Sequence, residues 1–63
     1  MREWITAYLG KEEVSIVEAW AKENNIEHES FQELDLMGGY GVSLKVNDEE
    51  NNAFASFFKK TFF

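Results

Sequence analysis

Tyr40, Val42, Leu44 and Val46 alternate with Gly41, Ser43, Lys45 and Asn47, a period of two that predicts a strand with one buried face. Upstream, Leu34 and Leu36 alternate with Glu33 and Asp35, continuing an alternation that covers residues 26–35. Between them, Met37-Gly38-Gly39-Tyr40-Gly41 holds three of the chain's four glycines. A two-residue Gly38-Gly39 turn would set Leu36 against Gly41 and Asp35 against Val42, which puts acids on the apolar face. A longer loop, of three to five residues around Gly38-Gly39-Tyr40, instead sets Leu36 against Val42, Leu34 against Leu44 and Glu33 against Lys45. Opposed residues share a sheet face, so this register separates apolar from polar positions and adds an ion pair. It is the register expected here. Ser30-Phe31-Gln32-Glu33 also fits a capping box for a short helix over residues 31–37. The strand is preferred because its register is self-consistent.

Helical spacing dominates elsewhere. Phe54, Phe57, Phe58 and Phe62 form one stripe, which reads first as core packing. Asn47 or Asp48 can cap that helix, Glu49 and Glu50 suit its positive end, and Lys59 and Lys60 suit its negative end. Phe63 is left at the end, frayed or lying on a neighbour. Residues 11–25 predict a second helix, with Ile16, Val17, Trp20 and Ala21 on one face and Val14 beside it. Glu18 and Lys22 are spaced for an i,i+4 pair. Asn24-Asn25 suits a left-handed exit.

The first nine residues fit two descriptions. Glu3-Trp4-Ile5-Thr6-Ala7-Tyr8-Leu9 is rich in strand formers, yet Met1, Trp4, Ile5, Tyr8 and Leu9 also make a helical stripe stopped by Gly10. The strand is preferred because a lone hairpin is a thin sheet to carry two helices. The expected fold class is α+β: a β-α-β-β-α chain with a three-stranded antiparallel sheet, strand one beside strand three, and both helices on one face. The alternative order is α-α-β-β-α. The preferred order resembles a ferredoxin-like fold lacking its last strand, an architectural likeness that implies no function.

Sixty-three residues make a single domain, 1–63. A chain this short buries only about 60% of the surface it exposes when unfolded. With no cysteine and one histidine, disulfides and thiolate metal sites are excluded. Ten aromatics and self-association are the remaining sources of stability, and homodimerisation through the sheet or the Phe-rich helix is expected. No apolar run suits a signal peptide or a membrane span, so a cytoplasmic location is expected, with a virion or periplasmic one left open. The net charge is −6, all of it in residues 1–35, where nine acids face three cations. That half repels nucleic acid and anionic membrane and attracts basic surfaces.

Little here suits catalysis. A phosphate loop needs a lysine and a hydroxyl after its glycines, followed at once by a helix, whereas these glycines run into a strand. His28 is the only imidazole, and its parity opposes that of Glu27 and Glu29, which suits a structural hydrogen bond better than a base. A small hydrolase using His28 and carboxylates is the least favoured reading, since so short a chain hardly builds a cleft. Asn47-Asp48-Glu49-Glu50-Asn51 lacks the ligand alternation and glycine of a calcium loop. No cofactor and no metal are expected.

The sheet face away from the helices carries more interest. Glu27, Glu29, Phe31, Glu33 and Asp35 would lie on it, with Ser43 and Lys45, and with Trp4, Thr6 and Tyr8 if the N-terminus is a strand. Aromatic sheet faces stack RNA bases in other domains, but those faces are basic. Two readings follow. The first is a non-enzymatic binding module or inhibitor, whose anchors Trp4, Tyr8 and Phe31 dock on a basic partner, with a nucleic-acid enzyme one candidate, while the acids steer. The second is a viral-type mimic of nucleic acid, in which Glu27, Glu29, Glu33 and Asp35 recur about every 6.7 Å, near two phosphate steps of a strand. An ordinary solvated, edge-protecting surface explains the acids equally well.

Overall fold

In the computed structural model, which describes residues 1–32 and 39–63, five elements follow in order. They are β1 (Glu3–Leu9), α1 (Lys11–Glu23), β2 (Glu27–Gln32), β3 (Tyr40–Val46) and α2 (Asp48–Phe62). The strands form one antiparallel sheet in the order β1-β3-β2. Since β1 and β2 both oppose β3, they run parallel to each other with β3 between them. The α1 crossover therefore makes a split β-α-β unit.

This corrects the helical alternative for the N-terminus. In the strand, Ile5, Ala7 and Leu9 face the helices while Trp4 and Tyr8 point the other way, so the helical stripe is divided between two faces. The partner decides the matter: β3 is almost wholly buried at Val42 and Leu44, and β1 lies along its full length from Glu3↔Val46 to Leu9↔Tyr40. An isolated stretch lacks that neighbour, and tertiary pairing overrides local preference. Gly10, read as a helix stop, is instead the N-cap of α1, its carbonyl receiving the Val14 N–H at 3.0 Å.

The exit from α1 sets the start of β2. The Ile26 N–H reaches the Ala21 carbonyl (2.8 Å) and the Asn25 N–H reaches that of Lys22 (3.2 Å), with Asn25 at φ 55°. This is a Schellman motif with asparagine in the left-handed position, and its two outer residues, Ile26 and Ala21, are both buried. Glu18, spaced for Lys22, instead accepts the Ser30 hydroxyl at 2.7 Å and ties α1 to β2.

At the start of α2, Asn47 Oδ1 accepts the Glu50 N–H (2.8 Å) and the Glu50 carboxylate accepts the Asn47 N–H (2.9 Å), a complete capping box. Glu50 also receives both Arg2 Nε (3.0 Å) and Nη2 (3.2 Å), fastening the chain ahead of β1 to the head of α2.

One core joins the layers. Val14, Val17 and Ala21 of α1, Phe54 of α2, and Ile26, Val42, Leu44 and Val46 are all buried. Trp20 stacks on Phe57 with centroids 5.1 Å apart and touches Phe54 at 5.6 Å, so the aromatic stripe of α2 does meet α1. Ile16, read as part of the buried face, is 44% exposed because the stripe that faces the sheet is Val14-Val17-Ala21.

The β2–β3 register also differs from the expected one. Val42 lies opposite Ser30, Leu44 opposite His28 and Lys45 opposite Glu27, so none of them pairs with Leu36, Leu34 or Glu33. The ladder closes at Gln32↔Tyr40, which places Tyr40 in the strand rather than in a loop of three to five residues, and makes residues 31 and 32 strand rather than helix. Both registers preserve face parity, so alternation could not separate them. The Schellman exit could: it seats Ile26 in the core and leaves Glu27 beside Lys45.

Candidate functional site

Both helices pack on one side, and among the described residues nothing covers the other side of the sheet. Nine side-chain positions form a three-by-three lattice there, with rows set by the two registers. Trp4, Lys45 and Glu27 make one row. Thr6, Ser43 and Glu29 make the next, and Tyr8, Gly41 and Phe31 the last. Neighbouring strands lie about 4.8 Å apart and same-face residues about 6.7 Å apart, so the lattice spans about 10 by 13 Å.

The lattice sorts its chemistry by column. The β1 column is aromatic, with Trp4 at 47% and Tyr8 at 54% exposure flanking Thr6. The central column is small or cationic: Gly41, Ser43, Lys45. The β2 column carries exposed Glu27 and Glu29 and then Phe31, which is half-buried. Thr6 Oγ1 and Ser43 Oγ are 2.9 Å apart, a hydroxyl pair bridging two strands at the middle of the face.

Gly41 shapes the last row. Phe31 lies over its backbone, and a β-carbon at Gly41 would meet three carbons of the ring, the nearest at 2.5 Å. With the notch open, Phe31 reaches Tyr8 on the far strand, centroids 6.2 Å apart and planes at 80°. Such edge-to-face pairs contribute about 0.5–1.5 kcal/mol beyond area burial. Sequence reasoning placed Gly41 on the outward side of the strand but gave it no role there. The usable signal was its outward parity on β3.

The structure thus brings together Trp4, Tyr8, Glu27, Glu29 and Phe31, with Tyr8 and Phe31 in contact. Glu33 and Asp35 lie outside the described residues, as do Leu34 and Leu36. His28 faces the helix side, its Nδ1 donating to the Ile26 carbonyl at 2.9 Å, whereas Glu27 and Glu29 face the open side. The histidine and these carboxylates do not converge. Among the described residues no three His, Asp or Glu side chains gather as metal ligands, and no helix is long and apolar enough to cross a membrane.

Arg2 and Glu50 form an ion pair away from this face, at 3.0 Å. The hydrogen bond from Arg2, then that from the Asn47 N–H, holds the Glu50 carboxyl below the usual range, and the same contact with Glu50 raises Arg2.

The fold and this face define a small α+β protein with a split β-α-β core and one open, aromatic sheet surface. Compared with protein-family models, curated proteins and solved structures, the chain matches none of them.

Proposed function

We propose that this protein works by binding, without catalysis, and docks its open sheet face on a basic cytoplasmic protein. The observation that carries the reading is the Tyr8–Phe31 pair held over Gly41, with Trp4 exposed on the same face. Rigid aromatics on an uncovered surface are the residues that dominate protein–protein contacts. Glu27 and Glu29 along the β2 margin favour a cationic rim on the partner and speed its approach.

The nucleic-acid mimic is the weaker reading. Its row of carboxylates is interrupted within the described residues, since Phe31 follows Glu29 in the column and Lys45 stands across from Glu27. Within the lattice two acids meet one lysine, which favours aromatic docking there over imitation of a phosphate strand.

Capture from native host extract tests both readings, using wild-type protein and folded variants verified by circular dichroism. Docking through the aromatics requires Tyr8→Ala and Phe31→Ala to lose the wild-type partner, and Glu27→Lys/Glu29→Lys to retain it at moderate salt. The mimic reverses that pattern and loses affinity steeply as salt rises. Retention of the partner by both aromatic variants would remove the proposal.

A further inference from the structure

β1 is an edge strand that pairs with β3 on one side, and among the described residues nothing pairs with its other side. A seven-residue edge presents a row of free N–H and C=O groups, which proteins usually guard with charge, proline or a bulge. The β2 edge is guarded by exposed Glu27 and Glu29. The β1 edge is not: it has no proline, its ladder to β3 runs one-to-one without a bulge, and its one charge, Glu3, stands at its first residue. On the helix side of this edge, Ile5, Phe54, Ala55, Phe58 and Phe63 line an open apolar groove of about 660 Å³, with Phe63 93% exposed.

We propose that β1 pairs antiparallel with β1 of a second copy, about a two-fold axis at Thr6, joining two sheets into one of six strands. A second copy fits because the strand complements itself. Centred on Thr6, Ile5 faces Ala7 of the other copy on the helix side, and Trp4 faces Tyr8 of the other copy on the open side. Every pair keeps its face. The Thr6 axis pairs all seven residues of β1, from Glu3 opposite Leu9 to Leu9 opposite Glu3, whereas an axis at Ile5 would pair only residues 3–7. Charge selects the same edge. Each copy carries −6, so association favours the contact with fewest carboxylates, and β1 brings one where β2 brings two. Two-fold self-pairing is the commonest closed symmetry among homo-oligomers. The pairing also extends each Phe31–Tyr8 row into Trp4 of the other copy. It stands independently of what the open face binds.

Sedimentation equilibrium of the full chain at high micromolar concentration, with two variants, tests this. Wild-type protein dimerises. Thr6→Lys, which places like charges opposite each other on an exposed position, weakens the dimer roughly tenfold or more, and Gln32→Lys, the same charge change on the other edge, leaves it unchanged. In a chain without cysteine, Thr6→Cys gives a covalent dimer on mild oxidation, because facing residues at the axis lie about 4.5–5.5 Å apart, within disulfide reach. Ser56→Cys on α2 does not. A wild-type chain that stays monomeric, a folded Thr6→Lys variant that dimerises as before, or a Thr6→Cys variant that cross-links no better than Ser56→Cys overturns the proposal. Should Thr6→Lys fail to fold, the cysteine pair decides.

Discussion

Phe31 lies across the backbone of Gly41, so close that a single methyl group on residue 41 would meet the ring at 2.5 Å. The glycine thereby connects β2 to β1 over the top of β3, and its partner across the sheet is Tyr8.

Gly41→Ala should act on the face more than on the fold. Gly41 is not among the positive-φ residues, so alanine suits its backbone and recovers about 0.5–1 kcal/mol relative to glycine in a strand. The collision falls on the far end of a side chain that can rotate into solvent. The expected result is a stability change within about 1 kcal/mol, together with separation of the Tyr8 and Phe31 rings. Ring-to-ring NOEs and a urea titration measure the two parts separately; intact NOEs in the variant would refute the notch.

Phe54 should be the costliest aromatic to remove. It is 8% exposed and touches Trp20, Phe57 and Phe58. Phe54→Ala is expected to cost about 3–5 kcal/mol, comparable to the whole stability of a domain this size. Phe63→Ala, at a 93% exposed position, should stay within about 0.5 kcal/mol. Thermal unfolding followed by circular dichroism compares them.

Removal of the α2 cap tests the element that fastens the helix. Asn47→Ala deletes the acceptor of the Glu50 N–H and should destabilise by about 0.5–2 kcal/mol. Hydrogen exchange should quicken at the first turn of α2 before it changes in α1. Equal acceleration in both helices would mean that α2 does not open by itself.

The Arg2–Glu50 contact predicts the acid limb of the stability curve. Because Glu50 is held below its unfolded value, its contribution is fully present above that value, about 4.3, and fades as pH falls through the lower folded one. Glu50→Gln keeps the capping geometry and removes the titrating group. Its melting temperature should therefore fall less steeply below pH ~5 than the wild type's. Parallel curves would exclude the linkage.

The order of all five elements was expected from the sequence, with a helical competitor only for β1 and for the end of β2. The alternation of Tyr40–Val46 and the spacing of Phe54, Phe57, Phe58 and Phe62 each repeat over several turns or pleats, and Asn47 and Asn24-Asn25 mark ends by local hydrogen bonding that needs no distant partner. The parity of Trp4, Tyr8, Glu27, Glu29 and Phe31 followed from the same periodicity once the N-terminus was taken as a strand. Alternation gives the face of a residue but not its neighbour: Val42 could meet Leu36 or the polar Ser30 without any residue changing face. Only the folded chain chose between them, because the turn after α1 anchors Ile26 in the core and β2 must start from there. The contact of Phe31 with Gly41 and Tyr8 belongs to that choice, since it joins three strands whose relative offset no local pattern encodes.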